Sequence, residues 1–390
     1  MNKKIVFLTY HNWEAKRQGG FHKFAEHSAK VGYNTVFFSF PRQFWTLFRK
    51  TDTFNYKKIV KLLRGVFYEI NDHSLFNGTV LSLGLPIPPR YFKYFPASIL
   101  NFFERITIPG LGRYATQHFS NAEYFVFEST ASVLLYNSIK KLFPNSKIIY
   151  RPSDPLIAFD YGKRFRKQEL ELLKNADLVL LVNKDGLELY KKEFTNFEAL
   201  VNYKIISNGV DIKQFKHKYP KPKQLNIPNT VLYVGARPID WEMLLAASKK
   251  SKVINFIIVC PLEIPRTFQE SYKKQDNIIH IKGIERSSVP QWITNADVIM
   301  VPNPRYWYER YPWGITAKYY QAIAAQKPIV SYHDTEELKD LNIPVTFDSD
   351  TFISEIENAL QKKRINYPFD LKQKDWSYVC NSFIEAIESI

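Results

Sequence analysis

The densest run of reactive side chains is PNPRYWYERYPWGITAKYYQAIAAQ, residues 302–326. It follows an apolar run that reads as a strand, so it begins at a carboxyl strand end, where open α/β sheets bind ligands. It supplies Arg305, Tyr306, Trp307, Tyr308 and Arg310, then Pro312 and Gly314, then a helix opening near Ile315. A helix start offers unbonded N–H groups and the positive end of a macrodipole to a diphosphate. Lys318, one turn in, adds a full charge, and Gln321 three residues on shares its face. A tyrosine or tryptophan ring here suits a base or ribose. The run therefore reads as a nucleotide-sugar donor site, although aromatic loops before a glycine also serve packing alone.

Asp154 stands in Tyr150-Arg151-Pro152-Ser153-Asp154-Pro155, just past a predicted strand end. A carboxylate there can take the proton of an attacking hydroxyl. Arg151 could hold it ionised or bind an acceptor phosphate. Asp before Pro is equally a turn residue. Gly235 to Trp241 follows another strand, where Arg237 could meet phosphate. Asp240 either joins the donor site or caps the next helix. Glu285, after Gly283, could accept hydrogen bonds from a base or ribose. Gly19 and Gly20 form either the floor of an acceptor side or a tight turn. Asp348-Ser349-Asp350 spells a metal-binding DxD, but its place before Thr351 reads as helix capping. His11, His22 and His27 lack metal-site spacing.

These groups need a scaffold, and the apolar runs provide one. Lys4 to Tyr10, a helix from Phe21 stopped by Gly32, and Thr35 to Phe40 make a strand–helix–strand unit. Further strands are expected at 124–127, 147–150, 177–182 and 205–206. A second series follows at 230–234, 253–259, 278–281, 297–301 and 328–331. The fold class is α/β, with two doubly wound domains. Basic, proline-containing residues 213–229 read as the linker. The expected division is 1–212, then 213–372, then a helix at 373–390.

The 390 residues carry a net charge of +16 and 16% aromatic side chains, which favours an anionic partner. Arg42, Arg49, Lys50, Lys57, Lys58, Lys61 and Arg64 interleave with Phe44, Trp45, Leu47, Phe48, Ile59, Leu62 and Phe67. Residues 90–113 repeat the mixture with Phe92, Tyr94, Phe102 and Phe103. Such segments suit an anionic bilayer surface, or a helix packed on its own domain with a solvated basic side. Two cysteines make no disulfide framework. No apolar stretch is long enough to span a bilayer. The expectation is a cytoplasmic chain, peripheral on the inner face of the cell membrane.

With its N-terminal His/Trp and glycine loop, Tyr150 to Asp154, Ser207-Asn208-Gly209-Val210-Asp211, Gly235 to Trp241 and Gly314 to Gln321, the sequence resembles the GT-B glycosyltransferases. It is most similar to the xanthan-type glucuronosyltransferases of glycosyltransferase family 70. The resemblance implies two Rossmann-like domains facing each other across a cleft, and an inverting, metal-independent transfer with no cofactor. The donor would be a UDP-sugar, best UDP-glucuronate, and the acceptor a polyprenyl-diphosphate-linked oligosaccharide. Asp154 would be the general base. Lys318 and Gln321 would hold the donor, with Tyr306 or Tyr308 beside the uracil or phosphates. The final helix would cross back to the first domain. Lys318 and Gln321 stand where retaining GT-B enzymes carry an acidic pair. A retaining transferase or a sugar-nucleotide epimerase would share the fold. A basic nucleic-acid-binding protein is the rival from another class, and no nucleic-acid module is recognisable.

Overall fold

The computed structural model describes residues 3–15, 18–44, 56–82, 91, 94–96, 98–99, 111–159, 161–310 and 314–390. The chain divides into two compact units, residues 1–207 with 380–390, and residues 208–379.

In the first unit the eight strands of the main sheet and two of its helices are β1 (Lys4–Thr9), α1 (Gly20–Lys30), β2 (Asn34–Ser39), β3 (Val66–Ile70), β4 (His73–Gly78), β5 (Ala122–Glu128), β6 (Lys147–Arg151), α2 (Lys163–Asn175), β7 (Leu178–Leu181) and β8 (Tyr203–Ile205). Their order across the sheet is β8-β7-β6-β5-β1-β2-β4-β3. All pairings are parallel except β3 with β4. Ile5, Val6, Phe7 and Leu8 are all fully buried. A central parallel strand is covered on both faces, hence its continuous apolar run. The strand order reverses between β1 and β5, so the carboxyl strand ends at Thr9 and Glu128 mark this sheet's topological switch point.

The second unit contains β9 (Thr230–Val234), α3 (Trp241–Lys250), β10 (Asn255–Val259), β11 (Ile278–Ile281), β12 (Val298–Pro302), α4 (Arg305–Arg310), α5 (Ala317–Ala324), β13 (Ile329–Tyr332), β14 (Val345–Thr346) and α6 (Ser349–Leu360). Its order is β11-β10-β9-β12-β13-β14, all parallel. Here the reversal lies between β9 and β12. The last helix, α7 (Trp376–Glu388), lies in the second unit up to Val379 and in the first from Cys380. Its Phe383 packs 4.7 Å from the Phe24 ring and 6.0 Å from Phe7. Glu388 accepts a 2.6 Å bond from Tyr33 Oη.

Two expectations are corrected by packing. The stretch 213–229 is no free linker. Ile212 and Phe215, on a short helix, and Leu225 are buried in the second unit's core. Gly209 turns the chain against Trp376, whose ring lies 2.7 Å from where a Cβ would stand. The basic aromatic stretch is not all helix: Tyr56–Arg64 is a helix that buries Ile59 and Leu62, and Val66–Ile70 is an edge strand. Arg42 is buried and donates to the carbonyl of Tyr10 at 2.7 Å and to Asn12 Oδ1 at 2.8 Å. Trp45, Leu47, Phe48, Arg49, Lys50, Phe92, Phe102 and Phe103 lie outside the described residues. No helix among the described residues is long and apolar enough to cross a membrane.

Candidate functional site

The second unit carries a pocket at its strand-order reversal, lined by Arg237, Val301, Asn303, Trp307, Tyr308, Thr316, Lys318 and Asp334. Val301 belongs to β12 and Asn303 follows its end; Arg237 lies on the loop after β9. Gly314, with φ +54°, occupies the left-handed region that favours glycine just before α5. Thr316 caps α5 by position, yet its side chain makes no capping bond. Its Oγ1 is buried with no hydrogen-bond partner among the described residues. An anion at this helix start would meet that hydroxyl together with first-turn N–H groups, which have no partner within a helix.

Lys318, in the first turn of α5, sets its ammonium 4.7 Å from the centroid of the Tyr233 ring. Burial, then the positive charge of Arg237, lowers its pKa to about 7, while Asp334 opposes the shift. Asp334 is itself buried beyond β13. Its carboxylate accepts from Tyr319 Oη, from Asn303 Nδ2 at 2.6 Å and from the Thr335 amide at 2.8 Å. Burial pushes that carboxyl upward against these bonds. The arrangement brings two basic side chains, Arg237 and Lys318, together over a polar floor that includes Asn303, Thr316 and Asp334. It suits a ligand that brings negative charge.

Of the residues singled out in the sequence, Arg237, Tyr308 and Lys318 meet here. Gln321 is half-buried one turn along α5 and is not among the pocket's lining residues. Asp240 is corrected: its Oδ1 accepts from the Met243 amide at 2.9 Å, which caps α3. Tyr306 is 63% exposed and outside the lining, so its expected place beside the donor is not reproduced. Glu285 is exposed at the start of a one-turn 3-10 helix, also outside the lining. Pro312 lies outside the described residues. Asp348 accepts from the Asp350 and Thr351 amides at 3.0 and 2.9 Å, so the DxD-like sequence begins α6 as a cap. Asn303, Thr316 and Asp334 had no sequence signal beyond their position at strand ends and a helix start.

In the first unit Asp154 is exposed past the end of β6, and its amide donates to Ser129 Oγ at 3.1 Å. The following loop is anchored by Glu169, a buried carboxylate on α2. It accepts from Tyr150 and Tyr190 hydroxyls, both at 2.6 Å, and from the amides of Leu156 and Ile157 at 2.9 and 2.7 Å. Arg151 is corrected as an acceptor-side group. It is fully buried, donates to the carbonyl of Ile206 at 2.8 Å and lies 4.5 Å from the Phe24 ring centroid. Gly19 precedes α1 with open space around it, and Gly20 is the first helical residue. Glu128 and His11, which sequence reading did not single out for chemistry, sit at the reversal between β1 and β5.

Comparison with known proteins agrees with this layout. Residues 7–182 match the family model described as glucuronosyltransferase GumK, N-terminal domain. No curated protein sequence matches the chain. Among solved structures, a sucrose-phosphate synthase from Thermosynechococcus elongatus is 14% identical, with a TM-score of 0.71, covering 100% of this chain and 99% of that one. Anabaena HepE in complex with UDP is 13% identical, with a TM-score of 0.67 over 99% and 100%. An alpha,alpha-trehalose-phosphate synthase from Burkholderia vietnamiensis is 10% identical, with a TM-score of 0.61 over 100% of both chains. The chain has the GT-B glycosyltransferase fold.

Proposed function

We propose that this chain is an inverting glycosyltransferase that moves a sugar, best read as glucuronate, from a UDP-sugar to a polyprenyl-diphosphate-linked oligosaccharide. The work is done at the inner face of the cell membrane, in making a cell-surface polysaccharide. The observation that carries the reading is the pocket of the second unit. There Lys318, Arg237 and the start of α5 converge where a strand-order reversal opens the sheet. Cations and helix N–H groups there can meet the charge that develops on a leaving diphosphate without a metal ion. The match of residues 7–182 to the GumK N-terminal domain model supports glucuronate, and the same fold is found in Anabaena HepE with UDP-glucose. An exposed basic row, Lys57, Lys58, Lys61 and Arg64, beside Tyr56 and Phe67 supports the anionic membrane surface.

In the proposed step the acceptor oxygen bonds to the anomeric carbon as the carbon–oxygen bond to the diphosphate breaks. The electron pair leaves with UDP, and the acceptor proton passes to Asp154. A thermal-shift titration with UDP, UDP-glucuronate, UDP-glucose, UDP-N-acetylglucosamine and GDP-mannose tests the donor. A selective shift with UDP-glucuronate is expected. A shift with another nucleotide sugar discards the sugar and keeps the class, and no shift with any sinks the donor site. Asp154→Asn should abolish turnover, by about 10³-fold or more, while UDP binding stays as in the wild type. Intact turnover would remove Asp154 from the chemistry. The anomeric configuration of the product decides between inversion and retention.

A further inference from the structure

The two cations of the second unit's pocket converge on one buried ring. Tyr233, on β9, is 1% exposed. The Lys318 ammonium lies 4.7 Å from its ring centroid, and its hydroxyl donates to the main-chain carbonyl of Arg237 at 3.4 Å. The chain passes so close to that hydroxyl at Gly235 that a Cβ there would stand 2.6 Å from Oη. The turn after β9 is thus wrapped around the strand's own tyrosine, which favours a residue without a side chain at the point of closest approach.

The loop that carries Arg237 is fastened at both ends. The Gly235 amide donates to the Val259 carbonyl and the Asp240 amide to the Pro302 carbonyl, each at 3.0 Å. Between these points the Tyr233 hydroxyl holds the loop's backbone, and the buried Cys260 Sγ lies 4.0 Å from the same Arg237 carbonyl. Asp334, the carboxylate that lines the pocket, accepts from Tyr319, from Asn303 and from the Thr335 amide. An aromatic face attracts an ammonium through its quadrupole and leaves the charge uncancelled. A second carboxylate in the ring's place would hold the lysine but repel an incoming diphosphate. An aliphatic side chain would fill the space and hold neither cation.

We infer that Tyr233 is a positioning residue of the donor site: its ring holds the Lys318 ammonium and its hydroxyl fixes the Arg237 loop, so that both cations face one diphosphate. This rests on the reading of the pocket as the donor site. Tyr233 is not among the residues that line the pocket, so it acts on a ligand only through the two cations. The ring part of its effect depends on the charge of Lys318. Where the lysine is neutral before binding and charged after it, the ring supports the charge that the donor calls up. Where the lysine is charged in both states, the ring supports both and its contribution cancels.

The test is calorimetric titration of the full-length protein, between pH 6 and 8, with UDP-glucuronate or whichever nucleotide sugar gives the thermal shift. Tyr233→Phe keeps the ring and loses the hydroxyl; Tyr233→Leu loses both. Tyr233→Leu should bind about 3- to 30-fold more weakly than Tyr233→Phe at pH 8, and by a clearly smaller factor at pH 6. Tyr233→Phe should bind about 2- to 10-fold more weakly than the wild type, and that difference should vanish when both proteins also carry Arg237→Gln. A tyrosine that only packs the core would weaken binding alike at both pH values and with either residue at 237. If Tyr233→Leu fails to fold, Tyr233→Phe, one oxygen smaller, carries the test through Arg237. Penalties independent of pH and of Arg237, or Tyr233 variants that bind as the wild type does, overturn the inference. Lys318→Met and Arg237→Gln that both bind the donor normally overturn the donor-site reading instead.

Discussion

Donor binding should depend on pH through Lys318. In the free protein its pKa is about 7, because burial and Arg237 disfavour the ammonium. A bound diphosphate brings negative charge that favours it, so binding takes up a proton above pH 7. At pH 8 about one molecule in eleven carries the charged lysine before binding. The affinity for a UDP-sugar should then be roughly tenfold weaker at pH 8 than at pH 6, about 1.4 kcal/mol. Calorimetry in buffers of different ionisation enthalpy should detect about 0.9 proton taken up per UDP-sugar at pH 8. A UDP-sugar is the right probe, since its diphosphate has no proton to lose in this range. Lys318→Arg, whose charge is permanent, should flatten the dependence. A Kd that is unchanged between pH 6 and 8, with no proton uptake, refutes the reasoning.

The same lysine has the opposite sign for stability. Its folded pKa is depressed, so the unfolded chain binds the proton between pH 7 and the ordinary lysine range. Native stability therefore rises with pH through that window, and the full cost is present below pH 7. Lys318→Met should raise stability by about 1–3 kcal/mol, a value discounted because the side chain is only half-buried, while donor binding is lost. Asp240→Ala should cost about 1 kcal/mol in urea unfolding and leave UDP binding unchanged, because the carboxylate caps α3. Glu169→Ala strands two amides and two tyrosine hydroxyls and should cost about 3–5 kcal/mol, read as a lower unfolding midpoint.

Much of the scaffold was written locally. Parallel strands buried on both faces must be continuously apolar, so Lys4–Thr9, Thr230–Val234 and Val298–Pro302 could be read directly. Gly314 and Lys318 were legible because a strand, a loop and a helix start follow one another within one stretch of chain. The edge hairpin of Val66–Ile70 and His73–Gly78 was not, because half-exposed strands mix charged and aromatic residues as an amphipathic helix does. Arg151 and Asp240 looked reactive by residue type, but a buried carbonyl and a helix amide claimed them. Glu128 and His11 lie far apart in sequence, and Asp334 lies beyond its own strand end. Which strand ends become neighbours is set by the order of strands in each sheet. That order depends on long-range packing, and only the tertiary structure decided it.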